Sequence, residues 1–231
     1  MKTKKSFYAT ALAILLIASV DCFAQKYQEY AAIRDLSTSQ QIDRNYFKSD
    51  LIYKKTVGEL SLVKGGQGYR FFVSCIGKGS YPIVKEVALE SANYWTTSLK
   101  SRQEAIDKSK SEIMKHLDSI SALKHTHQYS SLYRGIIHTI LRMDPKSKKT
   151  VFVFSDGIES YLKTFKDIKD WTQEYEAIKS VLVADQNIPD VENLEIVFIC
   201  SGKYETAVQS LRFFVQLFED FGIQASIRSN V

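Results

Sequence analysis

The chain has 231 residues, of which 45% are apolar and 25% charged, with a formal net charge of +5. That composition belongs to a globular protein, the length suits one α/β domain with an extension, and no internal repeat or low-complexity tract appears. Residues 1–24 hold three of the lysines and one aspartate; without them the charge falls to +3, too little to argue for a nucleic-acid partner.

Met1-Lys2-Thr3-Lys4-Lys5 is basic, residues 7–20 are apolar apart from Thr10 and Ser19, and Cys22-Phe23-Ala24 precedes Gln25. This is the layout of a secretory signal peptide cleaved after Ala24. The apolar run falls short of the ~20 residues that cross a bilayer, so no membrane span is expected after cleavage. Asp21 stands where a lipoprotein signal wants a small residue, which disfavours anchoring at Cys22. The expected location is periplasmic or secreted.

Residues 25–58 are polar and tyrosine-rich without a sustained period, and read as an N-terminal extension to a domain over 59–231. Residues 59–63 and 69–76 are strand-like and joined by Lys64-Gly65-Gly66-Gln67-Gly68, which predicts a hairpin. After Gly77-Lys78-Gly79-Ser80, the positions Ile83, Val84, Val87, Ala88, Ser91, Tyr94 and Trp95 recur at helical spacing, with Pro82 in a first turn. Residues 101–123 form an amphipathic helix. A helix over 130–138 follows and stops at Asp144-Pro145.

Residues 150–154, Thr-Val-Phe-Val-Phe, need cover on both faces, as a central strand of a parallel sheet does. They end in Ser155-Asp156-Gly157, where open α/β sheets place their ligands. Trp171, Tyr175, Ile178 and Leu182 mark a helix started by Asp170 and Gln173. Residues 194–200 make a second apolar strand, 205–221 a helix with Gly222 as C-cap, and 223–227 a short edge strand. Alternating strands and helices predict a three-layer, doubly wound, mostly parallel sheet of the Rossmann-like kind, with an N-terminal extension and hairpin. In von Willebrand factor A domains, which the hydrophobic run ending in Ser155-Asp156-Gly157 resembles, the strands that would end near Cys75 and Cys200 are separated by the one containing Phe154. That places them roughly 10 Å apart, beyond the ~7 Å reach of a disulfide, so two buried, unbridged thiols are expected.

The hydrophobic run ending in Ser155-Asp156-Gly157 resembles the fourth strand and following loop of von Willebrand factor A domains, and the resemblance extends over residues 69–231. It implies a metal-ion-dependent adhesion site built from three loops: Asp-x-Ser-x-Ser after the first strand, a Thr or Ser before a later helix, and the Asp of Ser-Asp-Gly. Asp156 matches the third element and Ser130 the second. Aligning the first strand on residues 69–76 puts Cys75, Gly77 and Gly79 where Asp, Ser and Ser belong. Ser80 then enters only if the loop is reshaped, and Lys78 adds a positive charge. The metal candidates are Asp156, Ser130 and Ser80 in a degenerate site, with no cofactor expected and Mg2+ the ion that hard oxygen ligands suit.

The resemblance implies a non-catalytic, exported module that binds another protein through Lys78, Ser80, Ser130, Asp156 and Glu159. Two alternatives stand beside it. One is a Rossmann-like enzyme that takes a phosphate at residues 77–80 and uses Asp156 as ligand or base; the other is a structural subunit of a cell-envelope assembly. Residues 77–80 lack the spacing of a P-loop, and no nucleophile elbow appears. His125 and His127 read as a surface loop rather than a metal pair.

Overall fold

The computed structural model describes residues 27–37, 47–58, 62, 65–77, 83–93, 95–124, 130–160, 162–200 and 205–228. Its elements in chain order are β1 (Gln28–Asp35), α1 (Ser49–Thr56), β2 (Tyr69–Ile76), β3 (Ile83–Leu89), α2 (Leu99–Ser121), α3 (Leu132–Ile140), β4 (Lys148–Ser155), α4 (Trp171–Asp185), β5 (Leu194–Cys200), α5 (Glu205–Glu219) and β6 (Gln224–Arg228). The strands form one six-stranded sheet in the order β3-β2-β1-β4-β5-β6. Every neighbouring pair is parallel except β2 with β3.

Period-two alternation splits the strand side chains between two cores. Ala31, Ile33, Val151, Val153, Ile196 and Phe198 pack on one face against α3, α4 and α5. Ala32, Phe152, Phe154, Val197 and Ile199 pack on the other against α1 and α2. Burial of each large apolar side chain is worth ~1.5–3 kcal/mol, so the central strands are held chiefly from both faces. The three-layer, doubly wound architecture expected from the sequence is present. Among the described residues no helix is long and apolar enough to cross a membrane.

Three expectations need correction. Residues 25–58 are not an appendage, because they supply β1, the strand between β2 and β4, together with α1. The antiparallel partner of β2 is β3, with Cys75 opposite Ile83 and Tyr69 opposite Leu89. The hairpin expected with residues 59–63 lies largely outside the described residues. Residues 83–89 are therefore strand rather than helix: Val87 and Leu89 point inward while Ala88 is exposed, the two-residue alternation of a sheet edge. Cys75, next to last in β2, and Cys200, the last residue of β5, are three strand steps apart, about 14 Å, and neither is in a disulfide. Two strands, not one, separate them, and Cys200 is only partly buried.

Two buried charges sit at the start of the central strands. The Glu29 carboxylate accepts hydrogen bonds from Arg70 Nη1 (2.6 Å), the Asp144 N–H (2.8 Å) and Ser147 Oγ (2.6 Å). Lys149, its register partner on β4, is fully buried and donates to the carbonyls of Pro145 (3.0 Å) and Glu192 (3.1 Å). Buried charge is tolerated only with such partners. At the far end of β1, Arg34 donates to the carbonyls of Ile120 and Ser121, a cation placed at the C-terminus of α2 where the helix dipole favours it.

Asp170 starts α4 by accepting the N–H groups of Thr172 (3.0 Å) and Gln173 (3.1 Å). Asp170→Ala is expected to cost about 1 kcal/mol, read as a lower urea midpoint at unchanged slope. An unchanged midpoint would mean that the cap contributes nothing.

Candidate functional site

The strand order reverses between β1 and β4, and their carboxyl ends open the crevice at that switch point. Asp35 is the last residue of β1 and is wholly buried. Asp156 follows the last residue of β4 and is 4% exposed. Parallel register places Arg34 opposite Phe154, so Asp35 comes level with Ser155, whose hydroxyl donates to Asp35 Oδ2 at 2.9 Å. The Ser37 N–H donates to Asp35 Oδ1 at 2.8 Å.

The turn after β4 is tightly built. The Gly157 N–H donates to Ser155 Oγ (2.9 Å) and the Ile158 N–H to Asp156 Oδ1 (3.1 Å). Gly157 has φ +77°, and a Cβ there would meet Leu211 Cδ2 at 2.6 Å. Glycine is thus required both by the backbone and by α5 packed beneath. The third segment arrives with α3, which lies so close to β2 that a Cβ on Gly135 would meet Ile76 Cγ1 at 2.5 Å. Ser130 stands two residues before α3 and is fully buried.

Two buried carboxylates side by side are electrostatically costly. Burial, and secondly the charge of Asp156, push the Asp35 carboxyl up to about 7; the Ser37 N–H and the hydroxyls of Ser155 and Ser130 oppose the rise. The Ser130 hydroxyl is thus near enough to influence Asp35, yet among the described residues its buried oxygen has no hydrogen-bond partner. Among the described residues no three or more His, Cys, Asp or Glu cluster as metal ligands. Two repelling carboxylates with an orphaned hydroxyl nevertheless fit a hard cation, which would relieve the repulsion and satisfy the hydroxyl.

Asp156 and Ser130 each lie close enough to Asp35 to act on its carboxyl. β1, not β2, neighbours β4, so the chain that leaves the switch point beside Asp156 follows Asp35 rather than Cys75. From Asp35 the sequence runs Asp35-Leu36-Ser37-Thr38-Ser39, in the order Asp-x-Ser-x-Ser. That five-residue match was the signal available in the sequence. Thr38, Ser39, Lys78 and Ser80 lie outside the described residues. Glu159 does not face outward: it is fully buried, accepting the N–H groups of Tyr133 (3.1 Å) and Ser160 (3.1 Å). It clamps the loop to the start of α3.

No family model matches the chain, and no curated protein does. Among solved structures it is similar to proximal thread matrix protein 1 from the mussel byssus, at 16% identity over 80% of this chain and 41% of that one, with a TM-score of 0.42. A second structure of the same protein gives 16% identity, 80% and 40% coverage and a TM-score of 0.36. A point mutant of the PilB minor pilin from Streptococcus sanguinis gives 11% identity, 89% and 57% coverage and a TM-score of 0.48. The chain spans between two fifths and three fifths of the length of these proteins.

Proposed function

We propose that this chain is a von Willebrand A-like adhesion module that residues 1–24 direct out of the cytoplasm. It binds another protein through the rim at the carboxyl ends of β1 and β4. The observation that carries this reading is the convergence of Asp35 and Asp156 with the orphaned hydroxyl of Ser130. Asp35, Ser37, Ser130 and Asp156 would hold a divalent cation, Mg2+ by the hardness of the oxygen donors, with Ser39 added by the motif. When bound, the cation supplies a positive docking point for a carboxylate of the partner. The protein's own part is to fix the donors beforehand. Ser155 and the Ser37 N–H hold both oxygens of Asp35, and the turn at Gly157 holds Asp156 through the Ile158 N–H.

Calorimetric titration with MnCl2 at pH 8 tests the reading on the full chain and on Asp35→Ala. The wild type is expected to bind one ion and the variant at least tenfold more weakly, the scale of losing a charged ligand. Equal affinities in the two proteins would refute it.

A further inference from the structure

Both polar backbone atoms of Ser130 are held by one residue outside the Ser155-Asp156-Gly157 motif. The Ser130 N–H donates to Ser160 Oγ at 2.8 Å, and the Ser160 N–H donates to the Ser130 carbonyl at 3.1 Å. Ser130 needs this support because it precedes α3 and its own backbone is outside the helix ladder. Nor does the residue between them help. Ser131, the N-cap of α3, makes no side-chain capping bond, and the first turn is capped instead by Glu159 Oε2 on the Tyr133 N–H. Residues 159 and 160 thus fasten the loop that carries Asp156 to the chain on both sides of Ser131.

We propose that Ser160 is a positioning residue for the cation site, holding the Ser130 main chain so that the Ser130 hydroxyl faces Asp35. This rests on the adhesion-site reading given above. The bond from Ser160 Oγ acts through backbone, so it sets where the Ser130 oxygen lies without touching the ion. A neutral hydrogen bond of this kind contributes modestly, and the misplacement of one of several donors is a partial loss rather than abolition.

The test follows Mn2+ binding to the full chain by electron paramagnetic resonance in Ser160→Ala, Ser160→Thr and Ser160→Cys. Ser180→Ala serves as control, since exposed Ser180 donates its hydroxyl to the Glu176 carbonyl one turn back on the outer face of α4. Ser160→Ala and Ser160→Cys are expected to bind Mn2+ roughly three- to tenfold more weakly, the scale of one neutral hydrogen bond. Ser160→Thr and Ser180→Ala are expected to stay within about twofold of the wild type, because one keeps the hydroxyl and the other is remote. Without metal, the Ser130 amide should exchange hydrogen faster in Ser160→Ala, while the Tm moves by about 2–4 °C. Unchanged Mn2+ affinity in Ser160→Ala overturns the proposal, as does an equal loss in Ser160→Thr. Asp156→Ala tells the two failures apart. If it binds Mn2+ like the wild type, or the wild type binds none, the adhesion site itself is wrong. If it loses the ion while Ser160→Ala keeps it, only the role of Ser160 falls.

Discussion

Asp156→Asn is expected to make the cation-free protein more stable at pH 8 while removing its affinity for divalent ions. Asparagine retains an oxygen for the Ile158 N–H, now accepted by Asp156 Oδ1 at 3.1 Å, but removes the charge that opposes ionisation of buried Asp35. Relief of one like-charge contact in a buried site is worth about 1–2 kcal/mol, or about 3–6 °C in Tm for a chain of this size. The pH dependence has a defined sign. Asp35 titrates near 7 in the folded protein against an ordinary value of 3.8, so between these pH values the native state keeps a proton that the unfolded chain has released. Stability from this group is therefore present at low pH and lost as pH rises through about 4 to about 7. Saturating Mg2+ should reduce the loss, since it binds only the ionised pair. Thermal melts of the wild type from pH 5 to 8.5, with and without Mg2+, read this directly. A cation-free Tm that climbs steadily across that window is incompatible with the argument.

Gly157→Ala should unfold the protein far more easily than Gly222→Ala, although the two glycines share a left-handed backbone at φ +77° and +75°. At both positions a side chain costs about 1 kcal/mol of backbone strain. Only at 157 does the new Cβ also meet packed atoms, Leu211 Cδ2 at 2.6 Å and the Leu211 N at 3.0 Å; at 222 nothing among the described residues lies within 4 Å. Overpacking adds about 1–3 kcal/mol, so Gly157→Ala is expected to lose about 2–4 kcal/mol in total and roughly 5–12 °C in Tm. Parallel urea titrations of the two variants isolate the contact. Equal losses would mean that Leu211 moves aside without cost.

The strands easiest to read in the sequence were those whose every residue is covered. β4 and β5 carry unbroken apolar runs because helices pack on both of their faces. β1 is covered just as fully, yet it was hidden in the sequence. Glu29 and Arg34 interrupt its apolar stretch, and only tertiary contacts explain them: Asp144, Ser147 and Arg70 for the first, the carbonyls ending α2 for the second. β2 has the more continuous apolar run, so the sequence favours it over β1 as the first central strand and Cys75 over Asp35 as the residue at its rim. Residues 83–89 misled for another reason. Ile83, Val84, Val87 and Ala88 fit a helical period as well as an alternating one over so short a run, and pairing with β2 decided between them. Asp156 and Ser130 were legible because a short motif and a helix start mark them locally. The roles of Ser155, Glu159 and Ser160 depend on which segments meet, which no local pattern contains.

The buried Glu29 carboxylate and its donors at the foot of the sheet make slippage of β1 against β4 costly. A shift of β1 by one residue would turn the Glu29 side chain to the opposite face, and a shift by two would carry it away from the Arg70, Asp144 and Ser147 donors that hold it. Six residues later, about 20 Å along the strands, the same alignment brings Asp35 level with Ser155, the residue next to Asp156. The precision of the upper end is thus inherited from an anchor at the lower one, and substitutions far below the crevice can blur it without altering any group that lines it.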